Sequence, residues 1–345
     1  MKKLLVFILC ALMIASVGLT GCNKKTGGNE DTVNFGAGLY VSNPSVTNAY
    51  VDEDDNVKDG SGNVDVTVAA VTVDAKGKIV SCQLDTSSNT VLFTLDGKAK
   101  ANAEFKTKYE LGDLYNMVEY GGAVQEWYKQ ADAFEALVAG KTLDEVKALV
   151  AEGNKGNSEV MNAGCTIKIN EFVGAIEKAY NNATVKVDAA SALKINIAVD
   201  QTLTDATEDE DGNKKDGSNK IAINVFVAAT DMDFAAATDK DGKVVAASSD
   251  CVEVSFTFNE MGVATLDTTK AILSKKEQGD NYGMVAYGGA AKEWYEQAAA
   301  FDAACVGKTK DEIAALMVNG YGTPDLQSAG CTIAIGGFVK AATRK

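Results

Sequence analysis

The chain contains no histidine. No Ser-His-Asp triad, Cys-His pair or His-ligated metal centre can therefore be assembled from it. Basic residues are also scarce, 33 Lys and Arg against 48 Asp and Glu, giving a net charge of −15. That balance argues against nucleic acid as a partner, because such binding needs basic patches. No cysteine stands in a Cys-x-x-Cys spacing. After residue 22 no apolar run is long enough to cross a bilayer. What remains is the composition of a globular protein, 46% hydrophobic and 23% charged, with length for two ordinary domains.

The first 22 residues read as a secretory signal. Met1-Lys2-Lys3 is a short positive start, Leu4 to Leu19 is apolar, and "LTGC" follows at 19 to 22. This word resembles the lipobox of bacterial lipoproteins. The resemblance implies lipid attachment at Cys22 and cleavage just before it. The membrane is then a partner through acylated Cys22. The expected location is the outer face of the bacterial cell membrane, or the outer membrane if the organism has two. Several acyl chains together give stable anchoring. Residues 23 to 31 form a polar, Gly-containing tether. With Cys10 in the signal and Cys22 lipidated, Cys82, Cys165, Cys251, Cys305 and Cys331 remain. An odd set cannot all pair within one molecule, and buried free thiols are expected.

Sliding the chain against itself by 167 residues superposes 109 to 149 on 276 to 316 without a gap. The words "YGGA", "EWY" and "GKT" coincide. At an offset of 166, Ala-Gly-Cys-Thr-Ile recurs at 163 to 167 and 329 to 333. A repeat this long is a duplicated domain rather than a solenoid unit. Two homologous units are expected, 32–183 and 184–345. Each reads as strands first and helices afterwards. "VDVTVAAVTVDAKGKIVSCQLDT" alternates around an Asp-x-x-Gly-Lys turn, a hairpin signal. Val124, Trp127, Ala131, Phe134 and Val138 then recur at helical spacing, with Gly140 as a terminal cap. Thr142 and Glu145 form a capping-box pattern, repeated by Thr309 and Glu312. Strands followed by helices imply an α+β fold, each unit a mostly antiparallel sheet with helices packed on it.

Three features invite a functional reading. Trp127 and Trp294 lie on apolar helix stripes, where core packing is the ordinary role and a stacking wall the alternative. The acidic segments "DEDDNVKDGS" and "EDGNKKDGS" lack the glycine spacing of a calcium loop and read as solvated hairpin tips. The loops "ELGDLYNM" and "EQGDNYGM" carry Glu110, Asp113, Tyr115, Glu277, Asp280 and Tyr282. Polar, Gly-containing loops of this kind let backbone approach a ligand, while the aspartates could equally cap the following turn.

The Gly-Cys-Thr words, each after a hairpin and just ahead of a closing helix, resemble the Ser-Gly-Ala-Thr word of the FMN-binding domain family. That family includes exported bacterial electron carriers, and its threonine hydroxyl is joined to the flavin phosphate in many members. The resemblance implies FMN as cofactor, covalent at Thr166 or Thr332. Gly164, Cys165 and Thr166 would form one site, Gly330, Cys331 and Thr332 the other. A small-Gly turn can point amides at a phosphate while threonine offers a hydroxyl. The resemblance covers about half of each unit; the "EWY…GKT" helical pair lies outside it. This sequence also departs from the word: Ala163 and Ala329 replace Ser, and Val160 and Leu326 stand where the family has Asp. Two readings stay open. One is a flavin-based electron carrier served by a membrane redox donor. The other is a non-redox surface lipoprotein binding another ligand. In neither is a residue placed as an acid-base catalyst.

Overall fold

The alternation read from the sequence builds two antiparallel sheets, and the computed structural model describes them through residues 32–102, 104–231, 242–267 and 269–344. The signal, Cys22 and the tether lie outside the described residues. In the first repeat β1 (Thr32–Thr47) leads through a small hairpin, β2 (Tyr50–Val51) and β3 (Val57–Lys58), into β4 (Gly60–Val73) and β5 (Ile79–Phe93), with β6 (Ala99–Lys100) at the edge. Helices α1 (Lys108–Leu111), α2 (Trp127–Val138), α3 (Leu143–Lys147), α4 (Ser158–Ala163) and α5 (Asn170–Asn181) follow. A connecting strand, β7 (Val185–Asp188), opens the second repeat. There β8 (Ala192–Thr204), the hairpin β9 (Thr207–Glu208) and β10 (Lys214–Lys215), β11 (Gly217–Thr230), β12 (Val244–Phe258) and β13 (Ala264–Thr265) restate the sheet. Then come α6 (Lys275–Gln278), α7 (Trp294–Cys305), α8 (Lys310–Ala314), the hairpin β14 (Met317–Val318) and β15 (Tyr321–Gly322), α9 (Pro324–Ser328) and α10 (Gly336–Ala342). The fold is α+β, as the order of elements implied.

The sheet orders are β6-β5-β4-β1-β7 and β13-β12-β11-β8. Equivalent strands hold equivalent registers, Val73 opposite Ile79 and Thr230 opposite Val244, each with a bulge at that end. The Asp-x-x-Gly-Lys turn forms as read: Asp74 accepts the amides of Lys76 and Lys78 at 2.8 Å, and Gly77 takes φ +76°.

The two repeats are not independently packed. β7 belongs to the second repeat by sequence, yet it pairs with β1 along Thr32↔Asp188 to Phe35↔Val185. One core unites Phe35, Leu39, Val66 and Val68 of the first sheet with Ile197, Ile223, Val225 and Val254 of the second. The opposite faces bury separate cores against α2 and α5 on one side and α7 and α10 on the other. The result is a helix–sheet–sheet–helix stack, and Asp31–Lys345 form one compact unit. The physical cause is visible in β4, where Val68, Ala69, Ala70 and Val71 are all buried, so both faces of the sheet need cover.

Contacts between equivalent residues reveal an internal pseudo-twofold. Phe93 and Phe258 stack on each other with ring centroids 4.4 Å apart. Lys178 of the first repeat pairs with Glu277 of the second, and reciprocally Arg344 of the second pairs with Glu110 of the first. An isologous contact of this kind is what two copies of one surface make with each other.

Local expectations are met in most places and corrected in one. Both capping boxes form, Thr142 with Glu145 and Thr309 with Glu312. Trp127 and Trp294 are buried in the helix-side cores. Val124, assigned to the apolar helix stripe, is instead 80% exposed, because the helix starts at Trp127. Glu126 stops it there. Its carboxylate accepts the amides of Met117 at 2.9 Å and Val118 at 3.1 Å, which ties the preceding loop to the helix entrance. Glu293 repeats the arrangement with Met284 and Val285.

Candidate functional site

Each Gly-Cys-Thr word is a turn whose polar groups are already used. Gly164 ends α4 at φ +105° and Gly330 ends α9's turn at φ +104°, a conformation that favours glycine. The Gly164 amide donates to the Met161 carbonyl at 3.1 Å and the Cys165 amide to Val160 at 3.2 Å. The Thr166 amide and hydroxyl both donate to Oε1 of Gln130, at 2.8 and 3.0 Å. The second repeat is the same: Gly330 donates to Gln327, Cys331 to Leu326, and Thr332 twice to Gln297 Oε1, at 2.8 and 2.9 Å. Gln130 and Gln297 are buried, and their own amides donate to the Gln125 and Lys292 carbonyls. Cys165 and Cys331 fill the cores beneath, their thiols pushed up to about 11 by burial. The amides that a flavin phosphate would need are spent on protein oxygens, so these turns as they stand do not fit that group. Sequence reasoning passed over Gln130 and Gln297, although "EWYKQ" and "EWYEQ" recur at the same offset and pointed to them.

The Glu-x-Gly-Asp loops are likewise structural in what they touch. Glu110 and Glu277 close capping boxes with Thr107 and Ser274, besides their ion pairs across the pseudo-twofold. Asp113 accepts from the Tyr128 hydroxyl at 3.1 Å and Asp280 from Tyr295 at 3.2 Å. Lys108 lies over the rings of Tyr115 and Trp127, and Lys275 over those of Tyr282 and Trp294, at 5.0 to 5.5 Å. At the acidic hairpin tips Asp52 and Asp209 each accept two backbone amides of their own turn. Among the described residues no group of three or more Cys, Asp or Glu is arranged to hold a metal ion. Cys82, Cys165, Cys251, Cys305 and Cys331 are all free thiols.

A cleft of about 560 Å³ opens elsewhere, where the sandwich parts between the repeats. Phe35, Leu39 and Val68 of the first sheet and Val225 and Val227 of the second form an apolar floor. Ser248, Lys276 and Tyr295 stand along one wall and Lys178 along another. Lys276 Nζ donates to Ser248 Oγ at 3.0 Å and to Asp302 at 3.3 Å, while Ser249 Oγ donates to Asp302 at 2.5 Å. Asp250 accepts the Cys251 and Lys276 amides, and burial raises its carboxyl against the opposing pull of the Lys276 charge.

The first repeat builds the related corner from different residues. By the repeat offsets, Cys82, Gln83, Tyr109 and Asp132 stand where the second repeat has Ala247, Ser248, Lys276 and Ala299. Small lining residues are thus exchanged for larger ones, and the cation is lost. Tyr109 donates to Asp132 and, at 3.3 Å, to Glu135, which also accepts the Leu84 amide at 2.7 Å. Burial pushes Asp85 up to about 7 and Glu135 to about 8.

This acid cluster sets a pH dependence. Both carboxyls have folded-state values above their unfolded ones, so the native state binds the extra protons. Their contribution is fully present below about pH 4 and disappears as pH rises through 7 to 8. Even with a discount for the partial exposure of Glu135, the loss is several kcal/mol. Denaturant unfolding at pH 5.5 and 9 is expected to show the wild type weakening by more than a Glu135→Gln variant. Equal weakening would mean that Glu135 titrates normally.

Comparison with known families, characterised proteins and solved structures finds no match for this chain.

Proposed function

We propose that this chain is a lipid-anchored, extracytoplasmic binding protein that takes a small amphipathic molecule into the cleft between its repeats and performs no redox chemistry itself. One observation carries the reading. The duplicated framework departs from its own symmetry at this corner, where Ala247, Ser248 and Ala299 replace bulkier residues over an apolar floor. A concave apolar site with a few convergent polar groups is the ordinary form of a small-molecule site. Attachment through Cys22, supported by the "LTGC" word, would hold that site near the membrane surface.

The neutral dye Nile red is expected to fluoresce on binding the exported chain. Ala299→Trp, at an exposed position of α7 on the rim, is expected to cut that affinity at least tenfold without changing the melting temperature. Unchanged binding in the variant would place the dye, and the site, elsewhere. The flavin-carrier reading is second. It is supported by the exposed position of Thr332, and its test is the intact mass of the chain produced with a flavin transferase. A gain located at Thr166 or Thr332 would put it first.

A further inference from the structure

We infer that the cleft selects a monocarboxylate amphiphile, its hydrocarbon body lying between the two sheets and its carboxylate held by the Lys276 ammonium. The inference rests on the binding reading above and adds the charge that the site recognises.

The floor is hydrocarbon from both sheets, so the body of the ligand must be apolar. Cavities that enclose small molecules run from roughly 300 to 1,000 Å³, and the volume of about 560 Å³ falls among them. Charge enters from the walls. Lys276 has three N–H donors, of which Ser248 and Asp302 take two, at 3.0 and 3.3 Å. The third is unassigned, and the side chain retains 29% exposure on the cleft wall.

The acidic groups nearby are already engaged. Glu277 is paired with Lys178 and also accepts the Ser274 amide at 2.9 Å. Lys178 additionally lies over the Tyr40 ring. Asp250 accepts two backbone amides, and its burial favours the neutral carboxyl. Asp302 takes Ser249 and Lys276.

The cleft therefore presents two ammonium groups, Lys276 paired with Asp302 and Lys178 with Glu277, and each retains a spare donor. Over an apolar floor the attraction of such a group for an anion is stronger than in open water. A carboxylate would accept the third N–H as a charge-assisted bond. An amide of the same shape gains only a neutral-acceptor bond, and an ammonium has no acceptor to offer the third N–H. The first repeat has Tyr109 at the aligned position, so this selectivity belongs to one corner of the molecule.

The test is displacement of Nile red from the exported chain by decanoate, decanamide and decylamine. The probes are applied to the wild type, to Lys276→Gln, which keeps amide donors toward Ser248 and Asp302, and to Lys276→Arg, which keeps the charge. Decanoate is expected to bind at least tenfold tighter than decanamide in the wild type and in Lys276→Arg, with decylamine weakest. The preference is expected to vanish in Lys276→Gln. Equal affinity for decanoate and decanamide in the wild type overturns the inference without needing any variant. So does a preference that survives Lys276→Gln. In both cases Nile red binding that is lost in Ala299→Trp would leave the cleft itself standing as a site.

Discussion

Replacing Gly38 by alanine is expected to lower the unfolding free energy by on the order of 3 kcal/mol, at the upper end of what overpacking costs. Gly38 lies on the face of β1 covered by α5. A Cβ there would sit 2.3 Å from the Ala179 nitrogen and 2.7 Å from the Ala175 carbonyl oxygen. Its neighbour Gly36 is as crowded, with the Ala179 carbonyl oxygen at 2.1 Å. Both obstacles are helix backbone, so no side chain can turn aside. The helix must lift from the strand and open the core that holds Phe172, Ile176 and Ala179. The second repeat solves the same contact differently. It has Lys194 and Asn196 at the aligned strand positions, so the approach of helix backbone to strand glycine belongs to the first repeat. Guanidinium unfolding of Gly38→Ala gives the answer directly. An unchanged midpoint would show that α5 can move off β1 at little cost.

The second large effect is expected at Gln130. Gln130→Leu preserves volume and removes three hydrogen bonds: two from Thr166 and one to the Gln125 carbonyl. Each bond contributes about 1 kcal/mol, and the buried groups left behind add their own penalty, so about 3 kcal/mol is expected. Thr166→Val removes only the hydroxyl bond and is expected to cost about 1 kcal/mol. The ratio is informative. If the Gly-Cys-Thr turn is a latch between α2 and the closing helix, the glutamine variant must be much the weaker protein. Equal costs would mean that the threonine is held for another reason, with attachment of a group to its hydroxyl the first to examine. The same pair of variants at Gln297 and Thr332 provides an independent repeat of the measurement.

What the sequence determined by itself was largely local or internal to the repeat. The strands and their Asp-x-x-Gly-Lys turn, the capping boxes at Thr142 and Thr309, the buried tryptophans and the α+β order all depend on neighbours within a few residues, or on a pattern written twice. Short-range hydrogen bonding and side-chain periodicity are enough to specify them.

The roles of Gln130 and Glu126 depended on partners 36 and about nine residues away. Alignment of the repeats marked both, but not what they touch. The tertiary structure alone decided that the repeats share one core. A strand buried on both faces gives a nearly continuous apolar run, and such a run does not say whether its second cover is a helix or another sheet. It also decided that Glu110 pairs with Arg344, 234 residues away, and that Phe35 and Val225 line one cleft. These contacts arise from docking two folded halves about a pseudo-twofold. Docking is governed by the shape of whole surfaces, and shape is not written in any short stretch of chain.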